Sequence, residues 1–180
     1  MEDVRASRWP MIAIAVMRVV IGWHFLYEGV AKLTSSSWSS AGYLKQARGP
    51  FADLFKRVAS DPSLLDRVDL ITMWGLTIVG LLLILGLFTR IASAGGIVFL
   101  SLFYLAAPPF VGYFYSLPQE GTYLIVNKNL VELCALFVVL VTPSGRFAGL
   151  DRIVHGLLAR RSRVSAQVPQ PPASTAGEAP

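Results

Sequence analysis

Apolar residues along this chain collect into four long runs separated by polar or glycine-containing stretches. A helix rises 1.5 Å per residue, so about 20 apolar residues cross the roughly 30 Å hydrocarbon core of a bilayer. The runs approach that length and cover residues 10–32, 68–89, 91–109 and 124–142. The pattern predicts an all-α integral membrane four-helix bundle that forms one domain over residues 10–158.

The segment between the first two runs, residues 33–67, is expected to form an external loop. Within it, GPFADLFKRVA predicts a short amphipathic helix with Pro50 in its first turn. Its apolar face comprises Phe51, Leu54, Phe55 and Val58. This helix either lies on the bilayer surface or caps the bundle as a lid.

Aromatic residues concentrate near the same predicted outer boundary. They are Trp38, Tyr43, Tyr113, Phe114, Tyr115 and Tyr123. Two interpretations stay open: an aromatic belt at the membrane interface, or one wall of a ligand pocket that faces the outer leaflet.

Composition fits a membrane protein, and the positions of the cations predict its orientation. Apolar residues make up 54% of the chain and charged residues only 15%, which is less charge than a soluble domain of this size carries. Cations precede the first run at Arg5 and Arg8, follow the second at Arg90 and cluster after the fourth. Because cytoplasmic loops are enriched in lysine and arginine, both termini are expected in the cytoplasm, including residues 1–9. We expect a multi-pass protein of the cytoplasmic (inner) membrane of a bacterium or archaeon, in contact with the lipid bilayer.

The chain after the fourth run contains two further segments of different composition. DRIVHGLLARRSR predicts a juxtamembrane cytoplasmic helix with an apolar face and several arginines. Residues 159–180 combine that basic end with a tail rich in Pro, Ala and Ser, which is typical of disorder.

Ionisable side chains interrupt the first apolar run. They are Arg18, His24, Glu28 and Lys32. Insertion scales put the cost of such a group at mid-bilayer at roughly 3 kcal/mol, so these groups are retained mainly when they are buried and paired. Gly22 and Gly29 lie on the same stripe of the helix and allow a neighbouring backbone to approach closely. The stripe is therefore expected to face protein rather than lipid.

Partners for this stripe are available on the fourth run, where Lys128 and Glu132 are one helical turn apart. Counting 1.5 Å per residue places His24 near Glu132, and Glu28 at the level of Lys128. Arg18 lies deeper and reaches Glu132 only if the helices tilt favourably. With Asp69, the interior charges sum to zero when all groups other than the histidine are ionised.

Two interpretations of this cluster remain open. It is either a structural ion network that fixes helix register or a functional pocket in which His24 relays protons beside carboxylates. In the second interpretation, Trp23, Tyr27 and Trp74 flank a polar pocket suited to an aromatic lipid-soluble head group such as a quinone.

Several chemistries lack their usual sequence signals. The single cysteine, Cys134, leaves no intramolecular disulfide, and no dinucleotide-binding glycine motif, haem ligand pair, cysteine cluster or metal-ligand set is present. No nucleic-acid partner is expected. A pocket for a divalent anion would need cations, and Lys32, Lys128 and Arg18 are the candidates, although pairing with Glu28 and Glu132 argues against that use.

Four sequence blocks resemble those of DoxX-type membrane proteins: RVVIGWHFLYEGVAKL, WGLTIVGLLLILGLFTRIAS, VNKNLVEL and TPSGRFAGLD. The matching positions are Arg18, Gly22, Gly29, Lys32, Gly80, Gly86, Arg90, Gly145, Arg146 and Asp151. The resemblance implies a four-helix inner-membrane bundle. Members similar to DoxD are subunits of thiosulfate:quinone oxidoreductase, which passes electrons from thiosulfate to membrane quinone. The implied cofactor is thus a membrane quinone, and the implied partner is a second oxidoreductase subunit or a soluble redox enzyme.

Three functional hypotheses follow. The first is a membrane subunit of a quinone-linked oxidoreductase, whose polar pocket is formed by Arg18, Glu28, Lys32 and Glu132 and opens toward the outer leaflet. The second is a noncatalytic membrane scaffold that recruits soluble redox enzymes through its basic cytoplasmic end. The third is a small-solute carrier, although carriers typically show internal repeats and broken helices that this sequence lacks.

Overall fold

The computed structural model describes residues 8–110, 112–113, 115 and 124–152. Over these residues the chain is helical and contains no β-strand. The helices, in chain order, are α1 (Arg8–Thr34), α2 (Ala41–Lys45), α3 (Ala52–Ser60), α4 (Pro62–Leu85), α5 (Thr89–Ala106), α6 (Lys128–Val141) and α7 (Ser144–Phe147). The predicted all-α class is confirmed for this part of the chain.

Three of these helices, α1, α4 and α5, are long and apolar enough to cross a membrane. The protein is therefore a multi-pass membrane protein. The fourth predicted span is shorter than expected, because α6 has 14 residues, about 21 Å at 1.5 Å per residue. The Asn127 side chain caps α6 by accepting a hydrogen bond from the Leu130 amide at 3.0 Å, which excludes residues 124–126 from the helix.

The second predicted span begins earlier than the hydropathy pattern suggests. Asp61 caps α4 through its carboxylate, which accepts hydrogen bonds from the amides of Ser63 at 2.9 Å and Leu64 at 3.3 Å. Pro62 occupies the first helical position, where its missing N–H costs nothing. The helix ends at Gly86, whose φ of +63° is the left-handed conformation that glycine adopts most readily.

Helix α1 packs along α4, α5 lies between α4 and α6, and α6 also contacts α1. The core is apolar and includes Ile21, Phe25, Leu76, Val79, Leu83, Ala92, Leu100 and Leu136. Glycines allow the α1–α4 approach, since a Cβ at Gly22 would lie 2.9 Å from Cβ of Leu83 and 3.0 Å from the Gly80 carbonyl oxygen. The sequence-based expectation of close packing on this stripe is confirmed.

The connection between α1 and α4, residues 35–61, contains α2 and α3 and is called the lid below. It is fastened to the neighbouring helices by hydrogen bonds. Ser40 donates its amide at 2.9 Å and its hydroxyl to the buried Asp69 carboxylate. The Tyr43 hydroxyl donates to the Phe103 carbonyl at 2.7 Å, and the Arg48 amide donates to the Ala106 carbonyl at 3.2 Å. The lid is thus tied to both α4 and α5.

The amphipathic helix predicted in this loop exists as α3, but Pro50 lies in the turn before it rather than in its first helical turn. Helix α2 was not predicted, because five residues carry too little periodicity to be recognised. The cytoplasmic N-terminus over residues 1–7, the juxtamembrane helix beyond Arg152 and the tail over 159–180 lie outside the described residues.

Candidate functional site: a lidded cavity with a charged end

A cavity of about 640 Å³ lies between α1, α4, α5 and α6 and is closed on one side by the lid. Most of its wall is apolar, with Phe99 and Phe103 from α5 and Leu76 from α4 among the lining residues. The lid contributes Leu44, Leu54, Phe55 and Val58. The apolar face of α3 therefore covers the cavity, which favours the capping interpretation of this helix over the surface-lying one.

The polar end of the cavity brings together five ionisable residues that the sequence singled out. They are His24, Glu28 and Lys32 from α1, and Lys128 and Glu132 from α6. Residues four apart on one helix share a face, so each helix presents its charged residues to the same space. With a neutral histidine, the two lysines and two glutamates sum to zero charge.

His24 and Glu132 are in direct contact, as their depths along the two helices predict. Nδ1 of His24 lies 2.7 Å from Oε1 of Glu132, with side-chain exposures of 34% and 21%. The second carboxylate oxygen, Oε2, is buried and has no hydrogen-bond partner among the described residues. Because Nδ1 faces Glu132, Nε2 is the ring nitrogen that can bond a ligand.

Lys32 and Glu28 form an ion pair one helical turn apart on α1. Nζ of Lys32 also lies 5.6 Å from the Trp38 ring centroid, which is within cation–π range. Lys128, in the first turn of α6, has no ion-pair partner among the described residues but acts electrostatically on His24 and Glu28. The cavity thus has one cation held by a carboxylate and a second that can contact a ligand.

The aromatic residues proposed to flank the pocket do not do so. Trp23 and Tyr27 are each 63% exposed and Trp74 is 51% exposed, and none lines the cavity. Adjacent residues on a helix are rotated by about 100°, so the positions before His24 and Glu28 face outward when those two face inward. The rings that line it instead are those of Trp38, Tyr43, Phe55, Phe99 and Phe103 together with Phe25.

Two of those rings, Trp38 and Tyr43, were indicated by the sequence as a possible pocket wall. Burial raises the pKa of Tyr43, so its hydroxyl stays protonated and keeps its hydrogen bond to Phe103. Phe99 and Phe103 were hidden in an apolar run, where nothing distinguishes a cavity-lining ring from one that faces lipid. Tyr113 lines a different concavity, whereas Phe114 and Tyr123 lie outside the described residues.

Arg18 does not belong to the cavity, contrary to the sequence-based pocket. It is 2% exposed, and its Nη2 donates a hydrogen bond to the Ala148 carbonyl at 2.6 Å. A Cβ at Gly86 would lie 2.9 Å from the guanidinium carbon, so this glycine leaves the space that Arg18 fills. Arg18 does not take Glu132 as its partner, the contact that required a favourable helix tilt, because the chain after α6 folds back and supplies the Ala148 carbonyl as acceptor.

Asp151 completes this second cluster, called the clasp below: Arg18, Gly86, Gly145, Ala148 and Asp151. The Asp151 carboxylate accepts hydrogen bonds from the amides of Phe88 at 2.7 Å and Thr89 at 3.1 Å, and its charge acts on Arg18. A Cβ at Gly145 would collide with the Thr89 hydroxyl and the Asp151 carboxylate. The clasp therefore ties the α4–α5 turn to the segment after α6.

The remaining residues that the sequence analysis singled out lie outside the cavity and the clasp. Gly29 packs against Thr77 and Gly80 against Leu26, Arg90 is exposed near the start of α5, and the Arg146 backbone lies in α7. Cys134 is exposed on α6 rather than enclosed in the bundle. Among the described residues, no group of three or more His, Cys, Asp or Glu could hold a metal ion.

Comparison with known protein families identifies the family to which the chain is similar. The sequence model of the family described as TQO small subunit DoxD matches residues 14–167. This range includes both the cavity residues and the clasp. No curated protein and no solved structure matches the chain significantly.

Proposed function

Because the chain belongs to the DoxD family, we propose that it is the small membrane subunit of a thiosulfate:quinone oxidoreductase and that its lidded cavity binds the quinone. The single observation that carries the proposal is the cavity itself, which combines an apolar aromatic wall with a charged end built from α1 and α6. A noncatalytic scaffold has no need of such a space.

In this proposal α1, α4, α5 and α6 form a four-helix transmembrane bundle in an inner membrane. Leu124, Ile125 and Val126 precede the short helix α6 and are all exposed, so they extend its apolar surface toward the outer boundary. The lid lies on the outer side, the clasp lies on the cytoplasmic side, and both termini are cytoplasmic, as the arginine distribution suggests.

The residues present fit a quinone head group. A volume of about 640 Å³ lies within the range of about 300–1,000 Å³ that is typical of small-molecule sites. A quinone ring stacks on aromatic side chains, and Phe99, Phe103 and Trp38 line the wall. Its two carbonyl oxygens accept hydrogen bonds, for which the Lys128 ammonium and Nε2 of His24 are donors on adjacent helices.

A bound quinone accepts two electrons and two protons when it is reduced. The Glu132 carboxylate lies 2.7 Å from Nδ1 of His24, so in this proposal Nε2 is the nitrogen from which His24 relays protons to the ligand. The Glu28–Lys32 pair keeps the site close to neutral, and the apolar face of the lid restricts water. In this proposal the electrons arrive from a partner subunit, as the family description of a small subunit suggests.

The test is a binding titration of the full-length protein in lipid nanodiscs with short-chain benzoquinone and naphthoquinone analogues. Binding is measured as the change in tryptophan fluorescence. His24→Gln removes the Nε2 donor and Glu132→Gln removes the carboxylate charge that faces Nδ1. Each variant should weaken binding by about tenfold, the scale of one hydrogen bond that involves a charged group.

Two tyrosines provide a matched control pair. Tyr43→Phe removes the hydroxyl that fastens the cavity-lining lid to Phe103 and should weaken quinone binding, whereas Tyr27→Phe alters an exposed ring outside the cavity and should leave binding unchanged. Absence of saturable binding by any quinone would refute the proposal and favour the scaffold. Equal effects of the two tyrosine variants would place the ligand elsewhere.

A further inference from the structure

A second concavity of about 520 Å³ lies on the lid, next to the cavity. It is lined by Lys45, Gln46, Ala47, Arg48, Ala52, Lys56 and Tyr113. Three of these are cations, and they come from separate places: the last turn of α2, the α2–α3 link and α3. We call this concavity the basic pocket.

Carboxylates do not balance these cations within the part of the chain that the structure describes. No acidic side chain lines the basic pocket there, and Lys45, Arg48 and Lys56 form no ion pair with described residues. Of the two acidic residues in the lid, Asp61 caps α4 and Asp53 lies outside the lining. Three like charges around one concavity repel each other, so the arrangement favours an anionic occupant.

The backbone that carries these cations is firmly held. The Arg48 amide donates to the Ala106 carbonyl at 3.2 Å, and Ala47 is 1% exposed. A Cβ at Gly49 would collide with the Leu105 carbonyl, so the α2–α3 link sits directly against the end of α5. Sites on anchored backbone hold their ligands' geometry better than sites on free loops.

We propose that the basic pocket binds a small oxyanion group of the thiosulfate, sulfate or phosphate class. Lysine and arginine each donate short charge-assisted hydrogen bonds to such oxygens, and the guanidinium of Arg48 can do so in a bidentate manner. The Tyr113 hydroxyl adds a neutral donor. This assignment rests on the proposed function, since it places the anionic donor's site on the subunit that also holds the quinone.

The position relative to the cavity supports that role. Leu44 lines the cavity and Lys45 lines the basic pocket, and the same division separates Phe55 from Lys56. One face of the lid therefore covers the cavity, and the opposite face carries the cations of the basic pocket. Of the three cations that the sequence suggested for an anion, Lys32 pairs with Glu28, Arg18 belongs to the clasp, and Lys128 lines the cavity rather than the basic pocket.

The experiment measures thiosulfate and sulfate binding by calorimetry, with the full-length protein in nanodiscs of zwitterionic lipid at low salt. The combined Lys45→Gln, Arg48→Gln and Lys56→Gln variant should weaken binding by at least about tenfold. Arg57→Gln is the matched control, since this cation is also on α3 but outside the lining, and it should leave binding unchanged. Added sodium chloride should weaken binding to the wild type.

Two further measurements use a charge-conserving variant and an anionic lipid. Lys45→Arg with Lys56→Arg keeps the charges and should retain binding; loss equal to that of the Gln variants would overturn the proposal, as would absence of binding in the wild type. Nanodiscs with phosphatidylglycerol identify the source of the oxyanion: displacement of thiosulfate assigns the pocket to a lipid phosphate, and no displacement assigns it to a free anion. Quinone binding by the triple Gln variant is expected to be unchanged, so failure here is distinguishable from failure of the quinone site.

Discussion

Replacement of Arg18 by Met separates the two charged clusters of α1. Methionine keeps much of the side-chain length and apolar volume but removes the guanidinium. The variant loses the hydrogen bond from Nη2 to the Ala148 carbonyl and the electrostatic attraction of Asp151. Because Arg18 is outside the cavity lining, stability should fall while quinone binding persists.

The magnitude follows from what remains after the substitution. Stranding one member of a buried ion pair costs about 3–5 kcal/mol, whereas losing one charge-assisted hydrogen bond costs about 1.5–3 kcal/mol. The Asp151 carboxylate keeps its hydrogen bonds from the amides of Phe88 and Thr89, so it is not stranded. The substitution also removes Nε and Nη1 of Arg18, which are buried without hydrogen-bond partners among the described residues. Removal of these two unsatisfied donors offsets part of the loss. We therefore expect a loss of about 2 kcal/mol, within the range for one such hydrogen bond.

The assay is reversible unfolding in mixed micelles by denaturing detergent, together with quinone titration of the same samples under folding conditions. Glu132→Gln provides the opposite pattern, with weaker quinone binding and a smaller change in stability. Unaltered unfolding of Arg18→Met would refute the clasp as a stabilising element. Loss of quinone binding in a folded Arg18→Met protein would instead indicate that Arg18 contributes to the quinone-binding site.

Three other predictions concern packing, pH and topology. Gly29→Ala should cost about 1–3 kcal/mol in a micelle unfolding assay, since its Cβ would meet the backbone of Thr77, while Gly42→Ala should be nearly neutral because nothing lies within 4 Å; equal stabilities would contradict the close α1–α4 contact. Hydrogen bonds from Ser63 and from the Leu64 amide hold the pKa of Asp61 below its usual value of 3.8, so its contribution to stability is present above that pH and lost as pH falls through the lowered pKa. The free energy of unfolding, measured from about pH 5 down to about pH 2, should therefore fall more steeply for the wild type than for Asp61→Asn, and parallel curves would refute this cap. A reporter enzyme fused after Arg163 should be active in the cytoplasm, and periplasmic activity would reverse the orientation.

Local pattern was sufficient for much of the helical architecture. Hydropathy predicted the three long helices because a bilayer requires long apolar runs, and the i,i+4 spacing predicted that Lys128 and Glu132 share a face. Depth along α1 and α6 also predicted that His24 meets Glu132, since two antiparallel helices of known rise leave little freedom in level. The four blocks that resemble the family, from Arg18 to Asp151, lie within the matched residues 14–167.

Tertiary structure alone decided which aromatic rings line the cavity and which partner Arg18 takes. Trp23, Tyr27 and Trp74 face outward whereas Phe99 and Phe103 line the cavity, and hydropathy cannot resolve that difference because an aromatic ring is apolar on either face of a membrane helix. Arg18 meets Ala148, 130 positions away in the chain, only because the segment after α6 folds back. The basic pocket likewise depends on how α2 and α3 fold over α5, since Lys45, Arg48 and Lys56 in sequence are indistinguishable from ordinary loop cations. Contacts between distant segments carry no local periodicity, so the sequence alone cannot specify them.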